Sequence, residues 1–180
     1  MKNLIVYFSR NHQNYVNGAI VELAVGNTEV IAKKLQKLTG AELFKIEPVQ
    51  EYAHDYQTCI LQAKEDLKRD ARPELKAYPE SLDTYDTIYL GYPNYWGTTP
   101  MAVRTFLEHF DFVGKTIRHF CTHEGSGMGK SERDIQRLCP STRVERGLAI
   151  QGSSDRCFTH LFSHFGSHFL GSSFPVCQSA

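Results

Sequence analysis

Leu4 to Phe8 is an unbroken run of large, β-prone apolar residues, with no polar position on either side of the pleat. A strand with one wet face alternates, so this run belongs to a strand covered on both faces, as in a parallel sheet. Leu43 to Ile46, Thr87 to Gly91, Ile117 to Cys121 and Val144 to Ile150 are four further strand candidates. Helical patterns lie between them. Thr28 to Leu38 carries Val30, Ile31, Leu35 and Leu38 at helical spacing, with Asn27 or Thr28 to cap its start and Gly40 to end it. Asp55 can cap a helix whose apolar stripe is Tyr56, Ile60, Ala63 and Leu67. Thr99-Pro100 supplies a cap with proline at the first helical position, ahead of Val103, Phe106, Leu107 and Phe110. Ile135, Leu138 and Cys139 share one face of a helix that Pro140 stops. Five strands alternating with helices call for an α/β fold with a doubly wound five-stranded parallel sheet.

A chain of 180 residues is long enough for one domain with a sizeable core and too short for two of ordinary size. Lys plus Arg equals Asp plus Glu, 20 of each, so no global basic field attracts nucleic acid or anionic lipid, and neither is an expected partner. The five cysteines, Cys59, Cys121, Cys139, Cys157 and Cys177, are odd in number, widely spaced and without a C-x-x-C pair. That pattern argues against a disulfide framework or a structural zinc site and fits reduced thiols in a cytoplasm. The N-terminal run meets polar residues at once and reads as a strand, not a signal peptide, and no apolar stretch reaches membrane-spanning length.

Composition changes after Arg156. Residues 157 to 180 contain no Lys, Arg, Asp or Glu, yet hold five of the eleven Phe and three of the eight His. Phe158, Leu161, Phe162, Phe165 and Phe169 fall on one helical face and His160, His164 and His168 on the other, which predicts a fifth helix over residues 155–180 that completes the domain formed by residues 1–154. The histidines, with Cys157, read either as metal ligands or as a weakly polar outer face.

In open parallel sheets ligands bind beyond the carboxyl ends of the strands, where helix N-termini point free N–H groups outward. Three loops meet that condition here. Ser9 to Thr28 joins a hydroxyl to Gly26-Asn27-Thr28 at a helix start; this suits a phosphate, and it also suits an ordinary helix cap. No Gly-Lys-Ser/Thr or G-x-G-x-x-G follows the strand, so it is neither a Walker loop nor a dinucleotide fingerprint. Tyr92 to Thr99 displays Tyr95 and Trp96, the sole Trp; such rings either stack on a flat ligand or pack on the domain's own loops. Thr122 to Gly129 contains Gly125, Gly127 and Gly129, which let backbone groups approach a ligand edge, with His123 and Glu124 beside them.

Taken together, Ile5-Val6-Tyr7-Phe8-Ser9-Arg10, Gly26-Asn27-Thr28-Glu29-Val30-Ile31-Ala32, Gly91 to Thr98 and Phe120 to Gly127 resemble the flavodoxin family, in its branch with a long segment inserted into the phosphate loop. The likeness implies a sheet of strand order 2-1-3-4-5 and an FMN cofactor. It implies that Ser9, Arg10, Asn14, Tyr15, Asn27 and Thr28 hold the phosphate and ribityl end. Pro93, Asn94, Tyr95, Trp96 and Gly97 would frame the ring with Thr122, His123, Glu124, Gly125 and Gly127, and Trp96, with Tyr95, would stack on it. No catalytic residue and no metal ligand is implied. The implied role is electron transfer between redox partner proteins, a reductase and an acceptor; NAD(P)H-dependent reduction of quinones and a domain that has lost FMN are the alternatives. Asn11-His12-Gln13 lacks the Gly and Thr common in such loops, and the neutral chain lacks the family's usual acidity.

Overall fold

A computed structural model describes residues 2–152; the fifth helix expected over residues 155–180 and the tail histidines lie outside them. The central sheet comprises β1 (Asn3–Tyr7), β4 (Glu42–Lys45), β5 (Thr87–Pro93), β6 (Thr116–His123), β7 (Arg143–Val144) and β8 (Leu148–Gln151). Its order is β4-β1-β5-β6-β7, with β8 also on β6, and every ladder is parallel. In the order of the five expected strands this is 2-1-3-4-5. The fifth is broken in two. Gly147 sits where a Cβ would strike the His119 ring, and its N–H donates to Glu132 Oε2 at 2.8 Å rather than to the ladder.

The segment expected to be a plain loop after β1 contains a hairpin. β2 (His12–Val16) and β3 (Ala19–Leu23) pair antiparallel, with Val16 opposite Ala19 around Asn17 and Gly18. Both turn residues have positive φ, 50° and 87°, the geometry of a type I′ turn, for which Asn-Gly is the preferred pair.

The sheet's two faces bury different side chains because successive residues alternate. Leu4, Val6 and Phe8, Ile88, Leu90 and Tyr92, and Ile117 and Cys121 pack on α3 (Met101–His109) and α4 (Ser131–Leu138) through Val103, Phe106, Leu107 and Ile135. Ile5, Tyr7, Tyr89, Phe120 and Ile150 face α1 (Asn27–Thr39), which buries Ile31, Ala32 and Leu35, an i, i+1, i+4 stripe. Gly40 ends α1 in the left-handed region, its N–H donating to the Gln36 carbonyl. α3 begins one residue later than expected, with Pro100 in the cap position.

One polar chain crosses the apolar layer. Tyr92 Oη donates to Ser131 Oγ at 2.9 Å and Ser131 Oγ donates to the Met128 carbonyl at 2.7 Å, so the Tyr92 oxygen accepts from His119 Nδ1 at 2.8 Å. Tyr92, His119 and Ser131 are fully buried. The chain ties the start of α4 to the carboxyl ends of β5 and β6, which is where the loops converge.

Gly91 lies face-on to the Phe120 ring, with no space for a Cβ. Gly91→Ala is expected to cost about 1–3 kcal/mol of unfolding free energy by overpacking, read as a lower urea midpoint at unchanged slope.

Candidate functional site

The carboxyl ends of β1, β5 and β6 open into a cleft of about 350 Å³. At one end the chain leaving β1 locks into the start of α1. Gly26 holds the cap position and offers no side chain, so Ser9 supplies the missing acceptor from the segment after β1, its Oγ taking the Glu29 N–H at 3.1 Å. A Cβ on Gly26 would run into Ser9 Oγ and the Arg10 carbonyl. Thr28 Oγ1 lies 2.7 Å from Thr122 Oγ1, tying the helix start to β6. Asn27 and Thr28 therefore belong to the first helical turn instead of capping it, and their end of the macrodipole faces the cleft, as an anion requires.

Arg10 and Asn14 line the same end, where backbone carbonyls engage both Arg10 Nη atoms and the Asn14 amide, while among the described residues the buried Arg10 Nε has no hydrogen-bond partner. The Arg10 guanidinium donates to the carbonyls of Gln13, Ala53 and His54, the last two at 2.6 Å. Asn14 Nδ2 donates to the carbonyls of Arg10, Asn11 and His12 at 3.0–3.3 Å. Arg10 thus contributes charge, and Asn14 holds the turn. Tyr15 stacks on Tyr56 with ring centroids 6.2 Å apart, and the hairpin tip is held by Glu124, whose Oε2 accepts the Asn17 N–H at 3.1 Å.

The opposite end is built by the loop after β5. Tyr95 and Thr98 exchange two backbone hydrogen bonds, 2.9 and 3.2 Å, around Trp96 and Gly97, which have φ of 54° and 79°. Trp96 occupies a left-handed conformation that costs a bulky residue about 1–3 kcal/mol. Its Nε1–H donates to the Ile60 carbonyl at 2.9 Å on α2 (Tyr56–Lys68), and the Lys64 ammonium lies 4.9 Å from the ring centroid. The indole stays 46% exposed at the cleft. Tyr95 differs: its ring packs edge-on to Phe8 and Tyr52, both 5.9 Å away, and its hydroxyl lies 3.9 Å from Cys59 Sγ. Of the two rings expected to stack on a ligand, Trp96 is displayed and Tyr95 is largely taken up by the domain's own packing.

Asn94 clasps the loops that follow β5 and β6. Its Nδ2 donates to the Gly127 carbonyl at 2.6 Å and its Oδ1 accepts the Gly97 N–H at 2.8 Å. His123 Nδ1 accepts the Gly125 N–H at 3.0 Å, so the neutral ring carries its proton on Nε2; burial lowers its pKa, with Glu124 opposing. Pro93, Gly97, Thr122, His123, Glu124 and Ser126 line the cleft, whereas Gly125 and Gly127 do not and turn the loop at φ of 100° and 63°. The sequence reading missed one wall, made by Tyr56, Cys59, Ile60 and Ala63 of α2. Tyr56, Ile60 and Ala63 belong to the helix's apolar stripe, and such a stripe looks the same in sequence whether it covers a sheet or a cleft. Among the described residues there is no cluster of metal-ligating side chains and no helix long and apolar enough to cross a membrane.

The comparisons agree with this architecture. The flavodoxin family model matches residues 19–163. A structure from Bacteroides eggerthii, provisionally named a flavoprotein, is 26% identical over 92% of this chain and 98% of its own, with a TM-score of 0.73. A second, from Bacteroides uniformis and named in the same way, is 26% identical over 90% and 97%, at 0.70. A flavoprotein of Lactobacillus acidophilus, solved in complex with FMN, shares the fold at 18% identity over 87% and 96%, at 0.61. No curated protein matches. Fold and cleft define a flavodoxin-like α/β protein, and the chain belongs to the flavodoxin family.

Ser9→Ala is expected to lower stability by about 1 kcal/mol through loss of the cap, and Gly26→Ala by more, because backbone must move; thermal melts of the two variants test the order. Burial pushes the Cys59 thiol above its ordinary pKa and those of Cys121 and Cys139 to about 12. With Cys157 and Cys177 replaced by Ser, iodoacetamide is expected to label Cys59 first and slowly, faster as pH rises toward its raised pKa, and Cys121 and Cys139 only on unfolding. Mass spectrometry gives the order.

Proposed function

We propose that the cleft binds FMN noncovalently and that the protein is an electron carrier between a reductase and an acceptor protein in the cytoplasm. The observation that carries this reading is the cleft's polarity. A helix start with a glycine cap and the Arg10 charge lie at one end, and a half-exposed indole held in a strained turn at the other. That pairing fits a planar ring with a phosphorylated tail. Among the described residues no lysine lines the cleft, so N–H groups and hydroxyls at the start of α1 would hold the phosphate, with the Arg10 charge beside them. The FMN found in the Lactobacillus acidophilus relative supports the same cofactor here.

Bound there, the flavin supplies one- and two-electron redox chemistry. Ser9, Asn27 and Thr28 would hold the phosphate, the Trp96 face would bury the ring, and the α2 wall of Ile60 and Ala63 would exclude water from it. His123, uncharged at neutral pH, would offer the ring end the proton on Nε2. With zero net charge, partners would dock by shape and apolar contact more than by long-range steering.

Titration of the purified protein with FMN is expected to show saturable one-to-one binding, with quenching of Trp96 emission. Trp96→Ala should weaken binding by about 1–3 kcal/mol. A protein that never gains flavin absorbance would be a family member that has lost FMN, and steady NADPH oxidation with a quinone and no partner protein would make it an enzyme instead of a carrier.

A further inference from the structure

We propose that the buried ion pair between Arg104 and Asp134 is a positioning device for the turn that presents Trp96 to the cleft; the proposal deepens the FMN reading and rests on it for the ligand alone.

Arg104 and Asp134 are each 4% exposed, and Thr98 between them is 1% exposed. Two charges withdrawn from water lose hydration that their mutual attraction seldom restores, and apolar residues of similar volume are commonly as stable or more so. The pair therefore calls for a reason other than core stability, and its bonds supply one. Thr98 Oγ1 donates to Asp134 Oδ2 at 2.6 Å and accepts from Arg104 Nη2 at 3.1 Å; Arg104 Nη2 also donates to Asp134 Oδ2 at 3.1 Å. This closed triangle grips the residue whose backbone makes both hydrogen bonds that close the Trp96-Gly97 turn.

A tryptophan stays at φ 54° only where its surroundings over-determine it. Arg104 reaches both of the turn's supports. Through Nη2 it fixes Thr98, and through Nη1, 3.1 Å from Asp70 Oδ1, it fixes the segment that follows α2. α2 is the helix whose Ile60 carbonyl holds the indole N–H. The guanidinium, held in α3, sets the distance between the turn and the wall that its Trp leans on. Neither Arg104 nor Asp134 lines the cleft, so both act through the turn.

The test replaces the pair by apolar residues, Arg104→Met with Asp134→Leu, and reads the sole Trp in the protein without ligand. The double variant is expected to melt at or above the wild-type temperature, with Trp96 emission shifted to the red and its anisotropy lowered. The Kd for FMN and for lumiflavin, which has no phosphate, should both rise about tenfold, while competition of FMN by inorganic phosphate is unchanged. Thr98→Val, which leaves both charges in place and removes only the hydroxyl they grip, should reproduce the emission change, and Thr98→Ser should restore the native spectrum; this pair decides the matter if the double variant does not fold. Native Trp96 emission in Thr98→Val, or an unchanged lumiflavin Kd in a folded double variant, overturns the proposal. Failure of the wild-type protein to bind FMN would remove the proposed function and leave the emission comparison to decide the positioning role alone.

Discussion

At Gly26 the backbone of the β1 loop and the start of α1 come too close for a methyl group, and the rest of the site is arranged around that approach. Because the cap position has no side chain, Ser9 must reach across to accept the Glu29 N–H. Because Ser9 is held there, Arg10 is held beside it, and its guanidinium gathers the carbonyls of the hairpin entry and of the segment before α2. Thr28 then meets Thr122, so one glycine fixes β1, α1 and β6 relative to each other. A helix dipole is useful to a ligand only if the first turn is left open and aimed; here both conditions follow from a single missing Cβ.

The hairpin extends this arrangement along the cleft. A two-stranded ribbon is marginal alone in water, and β2–β3 is supported at its base by Gln13 Oε1, which accepts the Tyr56 N–H, at mid-length by the Tyr15–Tyr56 stack, and at its tip by Glu124. It therefore joins the α2 wall to the loop after β6, and a ligand that fills the cleft would meet both ends of one ribbon.

How far the sequence revealed this depends on the kind of signal. The central strands were legible because a run such as Leu4 to Phe8 has only one comfortable environment, and their order came from the likeness to the flavodoxin family. The break in the fifth strand was not, since it depends on Gly147 meeting His119, residues 28 positions apart in sequence. The hairpin was legible in principle from Asn17-Gly18, but His12 to Val16 is polar and half-exposed and lacks the apolar alternation that usually marks a strand. The three converging loops were legible as loops at strand ends. What each side chain does in them was not: Arg10 and Asn14 read as ligand donors and bond to carbonyls, Tyr95 reads as a stacking ring and packs inward, and Tyr56, Ile60 and Ala63 read only as a helix's apolar stripe. In each case the residue type was right for the neighbourhood, and its partner was set by a segment distant in sequence.

The two ends of the cleft are built by opposite means. The end at the start of α1 relies on backbone: a glycine cap, a helix start and carbonyl-bound Arg10. The ring end relies on side chains held against their preferences, a Trp with positive φ, an Asn clasp and a Thr gripped by buried charges. An oxyanion would be recognised by N–H groups that any sequence provides, so the fold alone could supply that contact. Display of one indole at a fixed angle is not a property of the backbone, and it has to be enforced by residues that would otherwise be better replaced with leucine. The cost in stability is concentrated where the geometry must be unique, and it is there that variants should separate binding from folding.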